Sequence, residues 1–152
     1  MRDLLLPNAV IANLSSATKK DVLQDIARYA AGIIGQDEHT VFNVLWEREK
    51  LGTTGIGQGL AIPHGRLPDM QEVQGFFARL AEPVPFEAVD NAPVDMVFLL
   101  LAPESAGADH LHALATVSRL LRDQNLCARL RSAPDDRAIY RLLTETAAVA
   151  AA

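Results

Sequence analysis

Apolar residues recur at helical spacing from Val22 through Ile26 and Ala30 to Ile33, which predicts a helix with one buried face. Thr18-Lys19-Lys20-Asp21 gives it capping-box spacing, with aspartate in the role usually held by glutamate, and Gly35 is placed to end it. A second helix is expected from about Glu38 to Glu49. Val41, Val44 and Leu45 form its apolar side, Trp46 lies at the margin, and Gly52 breaks it. Short apolar runs mark strands. Val10-Ile11-Ala12 lies in an edge element within residues 1–17, Leu60 to Ile62 is a short buried strand, and Val73 to Leu80 carries two phenylalanines at its centre. Pro83-Val84-Pro85-Phe86 reads as an extended link, with a further strand candidate near 84–88. The most hydrophobic stretch, Val94 to Leu101, is expected to be a central strand covered on both faces.

The last third is helical. After a loop at 103–109, Asp109 is expected to cap a helix whose face carries His110, Leu114, Val117 and Leu121, with His112 pointing elsewhere. A short helix follows from about Asn125 to Arg131. Ser132 then caps a final helix packed by Ile139, Leu142 and Leu143. The alanine-rich end after Glu145 has little apolar bulk, so one domain is expected over 1–147, with a frayed tail at 148–152. Helices and strands interleave, but residues 73–80 and 84–88 lie too close for a crossover helix. The fold class is therefore α/β, a three-layer α/β/α domain around a small mixed β-sheet.

Composition narrows the function. A chain of 152 residues is long enough to bury about two thirds of its unfolded surface in one core. Fourteen basic residues against 19 acidic ones, with no basic stripe, argue against nucleic acid as a partner. No segment approaches the roughly 20 apolar residues that cross a bilayer, and the N-terminus lacks a signal peptide, so a cytoplasmic protein without direct membrane insertion is expected. The one cysteine, Cys127, sits in an amphipathic pattern and reads as a buried structural thiol.

The chemistry concentrates in Gly55-Ile56-Gly57-Gln58-Gly59-Leu60-Ala61-Ile62-Pro63-His64-Gly65. No lysine follows the glycines as in a P-loop, and Leu60 stands where a dinucleotide fingerprint needs its third glycine. The loop is either a plain tight turn or a nest of amides for an anion. His64, between Pro63 and Gly65, either ends a strand or presents a ring nitrogen as a nucleophile, its other nitrogen needing an acceptor. His110 is a candidate for the same end of the sheet. Arg48, just before the loop, is placed to clamp a phosphoryl oxygen, although Glu47-Arg48-Glu49-Lys50 also reads as a solvated helix end. A metal set of His64, Asp109, His110 and His112 has neither a zinc-type motif nor a cysteine pair behind it. Asp95 reads as capping or solubilising the edge of the central strand.

The eighteen residues from Arg48 to Gly65, with Pro85 to Asp95 and His110-Leu111-His112, closely resemble the IIA domain of the fructose/mannitol class of the bacterial phosphoenolpyruvate-dependent phosphotransferase system, and within it the nitrogen-regulatory branch. The resemblance covers most of the chain and implies a three-layer α/β/α fold. It implies that His64 carries a phosphoryl group on Nε2, received from the phosphohistidine of an HPr-like carrier, with Arg48 and His110 as its active-site companions. The amides around Thr54, Gly55, Gly57, Gly59 and Gly65 are expected to hold phosphoryl oxygens. No ATP, metal or other cofactor is called for, because the donor N–P bond is already activated. Regulatory members of the family modulate partners such as potassium-transport proteins and sensor kinases. Transport members hand the group to a cysteine of a sugar-specific IIB domain. No attached IIB or membrane region is seen, which favours the regulatory role; the start of the chain, with nothing resembling a longer regulatory leader before Leu4, departs from that pattern without changing the class.

Overall fold

The structure is a computed structural model that describes residues 3–151, with side chains to Glu145. Strand β1 (Leu5–Leu14) leads into α1 (Lys19–Ile34) and α2 (Glu38–Lys50). Three short strands follow: β2 (Gly55–Gly57), β3 (Leu60–Ala61) and β4 (His64–Leu67). Two long strands, β5 (Gln74–Val84) and β6 (Val94–Pro103), precede α3 (Gly107–Leu121), α4 (Gln124–Ser132) and α5 (Asp136–Ala151). The expected tail at 148–152 falls on side chains outside the described part, as does all of Ala152.

The sheet runs β1-β5-β6-β3-β2, with β4 also on β6. It is mixed: β1 runs parallel to β5, and β5 antiparallel to β6. β3 and β4 both run parallel to β6, and β2 antiparallel to β3. Strand β6 carries the centre of the core, and every residue from Met96 through Leu101 is fully buried. Helices α1 and α2 pack on each other and reach β5, β1 and β4, while α3, α4 and α5 cover β6 and β1. The three-layer α/β/α arrangement is thereby met, with the apolar run of β6 hidden on both faces as its composition requires.

Several local expectations hold with their reasons. The Thr18 hydroxyl accepts from the Asp21 amide, and Gly35 closes α1 at φ 73. Others need correction. No separate strand forms at 84–88, because β5 continues to Val84. Asp109 lies inside the first turn of α3 and caps nothing, the cap position being Ala106. Ser132 ends α4, and the last helix is instead capped by Asp135, whose carboxylate accepts from the Ala138 amide. Residues 53–59 are not one open loop. Gln58 and Gly59, at φ 57 and 81, turn β2 into β3 as a two-residue hairpin.

β3 and β4 occupy the same edge of β6, at Met96–Val97 and at Leu100–Pro103. Pro63 lies between them. It has no amide to donate, yet its carbonyl still accepts from Leu100, so the edge is interrupted without being lost. Strand alternation then turns Gly65 toward α2 and His64 and Arg66 toward the opposite layer. A Cβ on Gly65 would come within 2.4 Å of Val44 Cγ1, so the absent side chain is what lets α2 approach β4. Gly65→Ala is expected to cost about 1–3 kcal/mol by overpacking. In a Val44→Ala background that penalty should shrink by more than about 0.5 kcal/mol, as chemical denaturation of the double-mutant cycle would read out.

Candidate active site

His64 opens β4, half-buried, immediately after the proline interruption. Its Nδ1 lies 2.9 Å from the carbonyl oxygen of Ile62, two residues back. A carbonyl only accepts, so Nδ1 carries the hydrogen and Nε2 keeps its lone pair. On the other side, the Arg48 Nε–H donates to Nε2 at 3.2 Å, while Arg48 Nη1 donates to the Gly52 carbonyl at 2.9 Å. Arg48 comes from the last turn of α2 and reaches His64 around the edge strand.

The second histidine is close. The His110 and His64 rings meet edge to face, with centroids 5.7 Å apart. His110 is 5% exposed in the first turns of α3. Its Nδ1 accepts from Arg66 Nε at 3.3 Å, which leaves the hydrogen on Nε2. That buried Nε2 has no hydrogen-bond partner among the described residues. An unanswered buried donor on a ring whose centre lies 5.7 Å from that of His64 suits an oxyanion that is present only part of the time.

Both imidazoles are held below their ordinary pKa. For His64 the main cause is burial, with the Arg48 charge in the same direction and the Ile62 carbonyl and Glu49 opposing. For His110 burial again leads, followed by His64 and Arg66. Both rings are thus biased toward the neutral form at neutral pH. In the unfolded chain they regain ordinary values near 6.5 and take up protons first as pH falls. Native stability is therefore expected to be retained above about pH 6.5 and to decline as the pH drops through it. Urea midpoints at about pH 7.5 and 5.5 check this, and equal midpoints would contradict it.

The structure brings Arg48, His64 and His110 together, as expected, and adds Arg66. The sequence pattern ends the strand at Ile62 and gives Arg66 no role. The available signal is its position two residues beyond His64, which on a strand means the same face. The glycines do not gather at His64. Gly57 pairs with Leu60, which lies beside Met96, whereas His64 lies beside Leu100, four residues or ~13 Å further along β6. Gly59 sits against the ion pair of Arg131 and Asp95, where a Cβ would meet both at 2.6 Å. Gly55 faces Ala88, and its amide donates to the Thr53 hydroxyl. The Gln58 amide is taken by Asp90, and that of Thr54 by Glu49. Gly55, Gly57 and Gly59 thus belong to the hairpin and its packing, the Thr54 amide to Glu49, and Gly65 to the approach of α2. Asp95, expected at the edge of β6, is bound to Arg131 by two hydrogen bonds. Cys127 is buried, and burial pushes its thiol up. His112 is exposed, and among the described residues no group of three or more His, Cys, Asp or Glu side chains is placed to hold a metal ion. No helix in the described part is long and apolar enough to cross a membrane.

Comparison with known proteins places the whole chain in a family. A nitrogen regulatory protein of Bradyrhizobium diazoefficiens is 54% identical over 149 residues, covering 98% of this chain and 97% of the relative. The crystal structure of the nitrogen regulatory protein IIA-Ntr from Neisseria meningitidis superposes with a TM-score of 0.87 at 31% identity, covering 93% of this chain and 97% of that one. The mannitol IIA enzyme of Escherichia coli, determined in complex with phosphorylated IIB, shares the fold at a TM-score of 0.75 and 18% identity, over 93% and 99% of the two chains. Residues 3–146 match the family model described as phosphoenolpyruvate-dependent sugar phosphotransferase system, EIIA 2. The chain belongs to that family of phosphotransfer proteins.

Proposed function

We propose that His64 Nε2 accepts a phosphoryl group from the phosphohistidine of an HPr-like carrier, and that the two phosphorylation states act differently on regulatory targets such as potassium-transport proteins or sensor kinases. The observation that carries the chemistry is the tautomer. With Nδ1–H committed to Ile62, the nucleophilic lone pair is on Nε2, beside Arg48. The regulatory role draws on the relative named a nitrogen regulatory protein, matched over nearly its whole length.

Phosphoryl transfer asks a protein for in-line positioning and for donors on the three equatorial oxygens. The donor ring approaches His64 Nε2 as Arg48 Nε–H gives up that nitrogen. One N–P bond breaks as the other forms, and the bonding pair returns to the donor ring. The hydrogen stays on Nδ1, donated to the Ile62 carbonyl, and that bond stabilises the positive charge the ring acquires. Arg48 then turns from nitrogen to a phosphoryl oxygen, a charge-assisted hydrogen bond of about 1.5–3 kcal/mol. Arg66 adds positive charge, and the unpartnered His110 Nε2–H supplies a further donor.

A second reading, a sugar-specific IIA component that passes the group to a IIB cysteine, draws on the fold shared with mannitol IIA. Incubation with phosphoenolpyruvate, the first enzyme of the system and an HPr-like carrier should yield an acid-labile adduct by intact mass. The adduct should persist when a fructose- or mannitol-type IIB domain is added, while affinity for the regulatory target changes with phosphorylation. An unmodified protein beside a working donor cascade would overturn the phosphocarrier reading. Rapid discharge to IIB would replace regulation with transport.

A further inference from the structure

Glu49 is buried, its side chain 3% exposed, at the end of α2 where the local pattern reads as a solvated helix end. A carboxylate taken out of water is costly unless its lone pairs are answered. Here they are. Oε1 accepts from the Thr54 amide at 2.8 Å and from Lys19 Nζ at 2.8 Å, and Oε2 accepts from the Thr54 hydroxyl at 2.6 Å. Lys19 is itself largely covered, its ammonium 4.9 Å from the centre of the Phe86 ring.

The clamp leads to both nitrogens of His64. The Thr54 carbonyl accepts from the Ile62 amide at 3.0 Å, and the Ile62 carbonyl holds His64 Nδ1. The segment 51–54, pinned at Thr54 by the Glu49 side chain, also carries the Gly52 carbonyl that holds Arg48 Nη1. Arg48 in turn donates to Nε2. The acceptor that fixes the tautomer and the guanidinium that guards the nucleophile thus hang from one four-residue segment tied down by one carboxylate.

We infer that Glu49 is a positioning residue for phosphoryl acceptance, which sets His64 and Arg48 in register through Thr54 without touching the phosphoryl group. This rests on the phosphocarrier reading. The role requires a carboxylate, because three donors converge on it. A glutamine would aim its own N–H₂ at one of them.

The test uses the whole chain with Glu49→Gln, Thr54→Val and Thr54→Ser, each checked for folding by circular dichroism. Nitrogen-15 NMR of the His64 ring in the unphosphorylated protein reads the tautomer, and single-turnover acceptance from a phosphorylated HPr-like carrier reads the rate. Glu49→Gln should mix the two tautomers and slow acceptance about tenfold, the low end of what outer hydrogen-bond partners set at metal-ligating histidines. Thr54→Val should give an intermediate drop, and Thr54→Ser should recover most of it. If Glu49→Gln does not fold, the Thr54 pair decides. Folded variants with the wild-type tautomer and the wild-type rate would overturn the inference. A wild-type protein that accepts nothing would sink the phosphocarrier reading instead, and the tautomer measurement would still decide whether Glu49 positions the ring.

Discussion

His64→Ala is expected to abolish phosphoryl acceptance while leaving the fold in place. The ring is half-buried and makes two hydrogen bonds, donating through Nδ1 to the Ile62 carbonyl and accepting at Nε2 from Arg48. Its backbone pairs with Leu100 in the β4–β6 ladder, and that pairing is independent of the side chain. The core beneath it, centred on Phe76, Phe77, Phe98 and the leucines of β6, is untouched. Nor does another histidine substitute. His110 accepts from Arg66 through Nδ1, which leaves its buried Nε2 protonated and without a lone pair to attack. Intact mass after incubation with the donor cascade checks the loss of the adduct, and a denaturation curve checks the fold. An adduct of undiminished yield on His64→Ala would show that another group takes the phosphoryl.

Arg48→Ala is expected to slow acceptance by about 10- to 150-fold, the rate equivalent of one charge-assisted hydrogen bond of about 1.5–3 kcal/mol. The guanidinium touches Nε2 in the resting state and is the positive group best placed to meet a phosphoryl oxygen as the transfer proceeds. Arg48→Lys should recover little of the rate. A lysine offers a point charge where the site uses a fork, one arm on the Gly52 carbonyl and the other on the ring. Because Arg48 stands at the end of α2 and only half-buried, the loss should fall on the rate and not on the denaturation midpoint. Single-turnover kinetics beside a melting curve separates the two. A folded Arg48→Ala protein with wild-type kinetics would remove this residue from the chemistry.

Much of the scaffold could be read from local pattern, for physical reasons. The Thr18 cap, the 3.6-residue apolar spacing of α1 and the uninterrupted apolar run of β6 all depend on neighbours in the chain, and each was found where expected. What escaped depends on residues far apart. A left-handed Gln58 is held by Asp90, and Gly59 is crowded by Asp95 and Arg131, so three alternating glycines that suggested an anion nest instead form a hairpin at the far end of β6. Asp135 outcompeted Ser132 because α4 ran on through the serine. At the site, Arg48, His64 and His110 were legible through the family resemblance, since spacing alone left each of them ambiguous. Arg66 was hidden by ending the strand too early. Glu49 was hidden because a helix-end carboxylate gives no sequence sign of the lysine and threonine that bury it.

The most direct measurement is nitrogen-15 and phosphorus-31 NMR of the phosphorylated wild-type chain, resolving which ring nitrogen of which histidine bonds to phosphorus. A single adduct on His64 Nε2, with Nδ1 still protonated, is the predicted result. Phosphorus on Nδ1, or on His110, would contradict it, since Nδ1 is committed to the Ile62 carbonyl and His110 holds its free hydrogen where a nucleophile would need electrons.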